Sequence, residues 1–183
     1  MTGQRVHMIP GLVGGDIVLQ LLQRGQSPES IRIVDFQSPS RADFLHAGRG
    51  CDYAKADITS PASVEAAFSK PWPSSVSKLP LTVFHTAAAI RFAERSTRLY
   101  GRSRRVNVDG TAIVLAAAKA AKADIFIATS SASIALFPVH HLTWPWSSAP
   151  KEFVQVYTEE DFDKPLRPHG QFFGNCMFHH QKR

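Results

Sequence analysis

The sequence predicts an α/β fold, a doubly wound parallel sheet with helices on both faces. Three observations predict it. Short apolar runs alternate with amphipathic stretches through residues 6–128, the first run ends in a glycine-bearing turn, and the last run, Ile125-Phe126-Ile127-Ala128, is almost wholly apolar. An apolar strand of that kind is expected where helices cover both faces of a parallel sheet.

Each element has its own local reason. Residues 6–9 form an apolar run that stops at Pro10-Gly11, a first strand and turn. From Asp16, the spacing of Ile17, Leu21 and Leu22 before Gly25 predicts an amphipathic helix with a glycine stop. Ile31-Arg32-Ile33-Val34 is a compact second strand ending at Asp35, and residues 53–56 are a weaker third. Ser60-Pro61 supplies an N-cap with proline at the first helical position, for a helix running to about Phe68. Three prolines and three serines make residues 70–80 a connection, and residues 81–85 are a fourth strand. Residues 103–122, with Val106, Ile113, Val114 and several alanines, predict a long helix before the fifth strand at 125–128. Beyond Ser133 the alternation fades into proline, tryptophan and charge, so the sheet is expected to be incomplete at the C-terminus.

Composition narrows the function classes. With 183 residues, 44% hydrophobic and 20% charged, the chain suits one ordinary globular domain rather than a disordered one. Eleven glycines and twelve prolines are too few for a collagenous or low-complexity chain. Cys51 and Cys176 cannot build a disulfide framework, so a reducing compartment is the default. No stretch approaches the roughly 20 apolar residues that span a bilayer, and Gln4, Arg5 and His7 interrupt any signal-like start. The net charge of +6 is by itself no argument for nucleic acid, and Arg91, Arg95, Arg98, Arg102, Arg104 and Arg105 read as a solvated flank. No nucleic-acid partner is expected. Neither His140-His141 nor the Cys176, His179, His180 group has a second ligand pair at zinc spacing, so no metal site is expected either.

The turn after the first strand reads Met8-Ile9-Pro10-Gly11-Leu12-Val13-Gly14. Gly11 and Gly14 have the spacing of the last two glycines of a G-x-x-G-x-x-G loop, which brings a helix N-terminus against a pyrophosphate in Rossmann-type sheets. Met8 takes the first glycine position, where its side chain is expected to crowd the turn or the phosphates; a plain strand-to-helix turn fits the half-motif equally well. Asp35 stands about 20 residues on, where a carboxylate accepts hydrogen bonds from ribose hydroxyls and repels a 2′-phosphate. If a dinucleotide binds, NAD is favoured over NADP; the same aspartate also suits a simple strand-end cap.

Further motifs follow in order: Asp57-Ile58, then Val83-Phe84-His85-Thr86-Ala87-Ala88, then Val106-Asn107-Val108-Asp109-Gly110-Thr111, then Ala128-Thr129-Ser130-Ser131-Ala132-Ser133. Together they resemble the extended short-chain dehydrogenases, most closely the 3β-hydroxysteroid dehydrogenase/isomerase family, over about residues 11–175. The resemblance implies hydride transfer between a secondary alcohol carbon and a nicotinamide, with a steroid or sterol-like hydrophobic alcohol as substrate. Carried over by position, Ser131 hydrogen-bonds the substrate oxygen, and Asn107 supports the local backbone and a proton relay. Gly11 and Gly14 line the pyrophosphate, Asp35 holds the ribose, Asp57 and Ile58 flank the adenine, and Ala87 and Ala88 leave room for the cofactor. The apolar loop at 137–146 would wall the sterol pocket or else cover the core.

Agreement stops at Asn175. The family's catalytic tyrosine and lysine positions hold Cys176 and His180. A thiol near pKa 8.5 is a poor geometric substitute for a phenol, and a histidine near pKa 6.5 carries little fixed charge at pH 7. The departure is clustered at residues 176–183 and again at 4–10, which predicts a spliced, frameshifted or mispredicted product with weak or no turnover. The alternative is a non-catalytic chain that at most binds a dinucleotide. Residues 1–183 are expected to form a single dinucleotide-binding domain, with 134–183 a partial loop region leading towards a missing catalytic helix and substrate region. With only the long helix of the family's dimer interface present, homodimerisation is expected to be impaired. The location expected is cytoplasmic, with endoplasmic-reticulum association in full-length relatives.

Overall fold

A computed structural model of the chain describes residues 3–11, 13–90 and 99–131. The elements run β1 (Arg5–Ile9), α1 (Gly14–Gln23), a 3-10 turn (Pro28–Ser30), β2 (Ile31–Asp35), α2 (Ala42–Ala47), β3 (Asp52–Lys55), α3 (Pro61–Ser69) and β4 (Leu81–His85). There follow α4 (Tyr100–Arg104), a π-helical turn (Arg105–Gly110), α5 (Thr111–Ala120) and β5 (Ile125–Ala128). All pairings are parallel, in the order β3-β2-β1-β4-β5. This is the doubly wound sheet that the alternation of elements predicts.

Strand alternation sorts side chains into two layers. Val6, Met8, Ile31 and Ile33 pack with Val18 of α1 and Phe44 of α2. Ile9, Val34, Leu81 and Val83 face the opposite way, against Val64 and Phe68 of α3 and Val114 of α5. Ser60 caps α3 by accepting from the Ser63 N–H, with Pro61 at the first helical position. Gly25, at φ +86°, ends the turn after α1 in a conformation that other residues rarely adopt.

Three local expectations need correcting. A short helix, α2, stands between β2 and β3, where the sequence suggested two strands in succession. Its six residues span less than two full turns and give no sustained periodicity to detect. The long helix starts earlier, at Tyr100, and widens into a π turn at Arg105–Gly110. The apolar fifth strand is not enclosed: among the described residues it pairs only with β4, and Ile125 and Ile127 are 51% and 41% exposed.

Candidate functional site

Every strand being parallel, Ile9, Asp35, Lys55, His85 and Ala128 end at one edge of the sheet. β1 lies between β2 and β4, so strand order reverses there and a crevice opens above its carboxyl end. The loop from β1 to α1 is pinned to the exit of β4. Gly11 N–H donates to Thr86 Oγ1 at 3.0 Å, and Thr86 donates in turn to the Ile9 carbonyl, through its hydroxyl at 3.2 Å and its N–H at 2.9 Å. A Cβ on Gly11 would sit 2.2 Å from the Thr86 carbonyl oxygen, and one on Gly14 would sit 2.7 Å from Thr86 Oγ1 and 2.8 Å from Pro10 Cβ. Both positions therefore exclude any side chain. No side chain caps α1, so the positive end of its dipole is available to an anion.

The turn forms with Met8 in place beneath it, and Met8 also lines the smaller of the two cavities beside it. Its side chain is fully buried beneath α1, with the sulfur 3.5 Å from where a Gly14 Cβ would be. Strand alternation turns it into the core, where it fills space below the crevice.

Two cavities flank the turn. One, of about 210 Å³, is lined by Met8, Gly11, Gly14, Asp35, Arg41 and Phe44 among others. The second, of about 250 Å³, is lined by Gly11, Asp35, Asp57, Ile58, Ala87 and Ala88 among others. Seven residues singled out from sequence, Gly11, Gly14, Asp35, Asp57, Ile58, Ala87 and Ala88, thus meet at one crevice. A larger apolar groove of about 680 Å³ between α3 and α5 contains none of them.

Asp35 borders both cavities. Its main chain is fixed, since the carbonyl accepts from Tyr53 Oη at 3.0 Å and from the Ala56 N–H at 2.9 Å. Its carboxylate receives a long bond from the Gln37 N–H, 3.3 Å, with the Phe36 N–H also directed at it, and burial outweighs both and raises its pKa above the usual carboxylate value. A half-buried carboxylate so lightly engaged favours a donor such as a ribose hydroxyl. Asp57 differs: its Oδ1 already accepts from the N–H and hydroxyl of Thr59, at 2.9 and 2.8 Å. It shapes the wall by holding its own turn.

Asn107 acts through the backbone. Its side chain donates to the Ala89 carbonyl at 3.1 Å and accepts from the Ala89 N–H at 2.7 Å, fastening the loop that carries Ala87 and Ala88. Thr111 donates to the Asn107 carbonyl at 2.7 Å, so His85 Nε2, 2.9 Å away, is the donor to Thr111. Burial lowers the His85 pKa, in keeping with a neutral ring. The π turn places Asn107 opposite Ala89, and Gly110 within it lets Ile58 approach, since a Cβ there would meet Ile58 at 3.1 Å.

Ser131 is half-buried just beyond β5 and lines neither cavity. Cys176 and His180, like the loop at 137–146, lie outside the described residues. Sequence reasoning gave no role to Thr86 or Arg41. Thr86 had a signal, a hydroxyl directly after a strand beside the glycine turn. Arg41 had none, because its place depends on where α2 begins.

Solved structures share this fold. UDP-glucose 4-epimerase from Thermotoga maritima, solved with UDP-glucose, superposes with a TM-score of 0.54 at 24% identity, over 73% of this chain and 39% of its own. UDP-glucose 4-epimerase from Stenotrophomonas maltophila, with bound NAD and formylated UDP-arabinopyranose, gives 0.56 at 21% identity, over 82% and 43%. The Bordetella bronchiseptica enzyme WbmG in complex with NAD gives 0.52 at 20% identity, over 73% and 38%. The chain thus spans about two fifths of the length of these structures. No curated protein sequence is similar enough to count as a match. The family model of the 3-beta hydroxysteroid dehydrogenases/isomerases matches residues 9–144, which include the glycine turn, Asp35, the β4 exit, the π turn and Ser131. The chain belongs to the 3-beta hydroxysteroid dehydrogenase/isomerase family.

Proposed function

We propose that the crevice binds NAD, as part of an oxidoreductase acting on the CH–OH group of a steroid, sterol-like or other hydrophobic alcohol. The observation that carries the cofactor half is the collision of any Gly11 or Gly14 Cβ with Thr86, which keeps the turn bare for a pyrophosphate. Gly11 and Gly14 would lie along the phosphates at the α1 N-terminus, and Asp35 would accept from the adenosine ribose hydroxyls. Asp57 and Ile58 would flank the adenine, with Ala87 and Ala88 leaving space beside the cofactor. Asp35 disfavours a 2′-phosphate by like charge, hence NAD before NADP.

When bound, NAD supplies a hydride acceptor for an alcohol carbon. The chain's own residues would position the reactants: Asn107 fixes the loop beside the nicotinamide half, and Ser131 would hold the substrate oxygen. Cys176 and His180, at the tyrosine and lysine positions, provide neither the phenol nor the fixed cation that moves the proton in this chemistry. Turnover by this chain is therefore expected to be weak or nil, and a dinucleotide-binding chain without catalysis is the second reading.

Calorimetric titration with NAD and NADP, beside a steroid dehydrogenase assay, tests both. Tighter binding of NAD than NADP supports the crevice, and turnover of a 3β-hydroxysteroid supports the substrate. Binding without turnover favours the non-catalytic reading. Failure of NAD to bind overturns both.

A further inference from the structure

We infer that Asp16 and Asp43 engage Arg41 at the crevice wall, making this clamp a second determinant, beside Asp35, of preference for a dinucleotide with a free 2′-hydroxyl. The inference rests on the dinucleotide reading above. Arg41 shares the wall of the smaller cavity with Asp35, Gly14 and Gly15, and is the only guanidinium lining either crevice cavity among the described residues. A guanidinium in this place is the group that would accept a 2′-phosphate, through its planar fork of donors.

Here that fork is taken. Arg41 Nη1 donates to Asp16 Oδ1 at 2.8 Å, Nη2 to Asp43 Oδ2 at 2.7 Å, and Nε to Asp43 Oδ1 at 3.2 Å. Asp43 is itself oriented by the Phe44 N–H, 2.9 Å from Oδ1. Gly15 adjoins the arrangement, where even a Cβ would only reach ordinary van der Waals contact with Arg41 Nη1, at 3.4 Å. Two carboxylates against one guanidinium leave the cluster with a net negative charge, and Asp35 adds another beside it. A 2′-phosphate would have to displace Asp16 and Asp43 from Arg41 while facing Asp35. The side chains are about half exposed, so each ion pair alone is weak; the charge balance, more than the strength of either bond, keeps the phosphate out.

Isothermal titration of the full chain with NAD and with adenosine 2′,5′-bisphosphate tests this. Asp35→Ser alone should weaken NAD and leave the bisphosphate poorly bound. Adding Asp16→Asn and Asp43→Asn to that variant should raise bisphosphate affinity about tenfold, and Arg41→Gln should erase the gain. In the Asp35→Ser background, where the clamp persists, Arg41→Gln should change bisphosphate affinity less than twofold, by about the size of a measurement error. All four positions are solvent-accessible, and a thermal melt of each variant confirms folding. If the wild type binds NAD but Asp35→Ser already reaches the affinity of the triple variant, the clamp inference is overturned and the crevice stands. If the wild type does not bind NAD, the crevice reading falls and the clamp falls with it.

Discussion

At the amino-terminal edge of the sheet, all three nitrogens of the fully buried Arg32 guanidinium donate. Nε bonds Asp52 at 2.6 Å, and the others reach the carbonyls of Ala67, Lys70 and Pro71. Trp72 lies over the same group at 4.2 Å, and Lys70 also bonds Asp52. At the carboxyl edge, by contrast, a carboxylate is held only by neighbouring main-chain N–H groups, two glycines exclude side chains, and two cavities open beside them. One edge closes the ends of α3 and β3 with charge-assisted bonds. The other leaves polar groups ready for something else. The same strands thus carry stability at one end and binding at the other, and each end has variants that separate the two roles.

The largest effect belongs to Arg32. Arg32→Met would leave three carbonyls and part of Asp52 without their donor in a buried place, costing about 3 kcal/mol or more. Urea denaturation should show the loss, while NAD affinity measured on the folded fraction stays within twofold, about RT ln 2. A large change in affinity would show that the two edges are coupled.

Gly11→Ala reverses the pattern. Its Cβ would press on the Thr86 main chain, which the Thr86 N–H bond to the Ile9 carbonyl holds in place, so overpacking costs about 1–3 kcal/mol. The displaced turn should lower NAD affinity at least tenfold. Gly14→Ala meets a hydroxyl and a proline Cβ instead, so a smaller loss is expected. Equal NAD affinity in wild type and Gly11→Ala would mean that the turn is not the binding surface.

The comparison also separates what was legible in the sequence. Gly11, Gly14 and Asp35 could be read because backbone approach and strand-end charge leave local signatures at fixed spacing. The β1, β2 and β4 segments were legible because central strands must be apolar, and β5 because its run is apolar although it is last in the described sheet. Arg32 was not read as structural, because a single arginine in an apolar strand gives no sign that Asp52 and the α3 carbonyls converge on it. The α2 helix and Arg41 were missed for a related reason: six residues do not establish a period.

His7 gives the amino edge a pH dependence of its own. Its ring is fully buried, stacks on Phe68 at 4.3 Å, and neither nitrogen has a hydrogen-bond partner. Burial first, then the positive charges of Arg32 and Arg5, lower its pKa to about 3. Between that value and the unfolded value near 6.5, the unfolded chain binds the extra proton. Stability should therefore fall as pH drops below about 6.5, by at most about 1.4 kcal/mol per pH unit from this group. His7→Phe keeps the stack and removes the titration, so its denaturation midpoint should vary less between pH 7 and pH 5. An unchanged slope would assign the loss to His85 instead, whose pKa burial also lowers.

The smallest effect tests the carboxyl edge most finely. Thr86→Val preserves the shape of the side chain but removes the acceptor for Gly11 N–H and the donor to the Ile9 carbonyl. The Thr86 N–H still bonds Ile9, so the strand exit survives and the global cost should be about 1 kcal/mol. The loss falls on the turn, where an unpaired Gly11 N–H is free to move off the phosphate-facing geometry. NAD affinity should weaken several-fold, and Thr86→Ser, which restores the hydroxyl without the methyl, should recover most of it. Rescue by serine distinguishes the hydrogen bond from packing: if serine binds NAD no better than valine, the Thr86 methyl rather than its hydroxyl holds the turn.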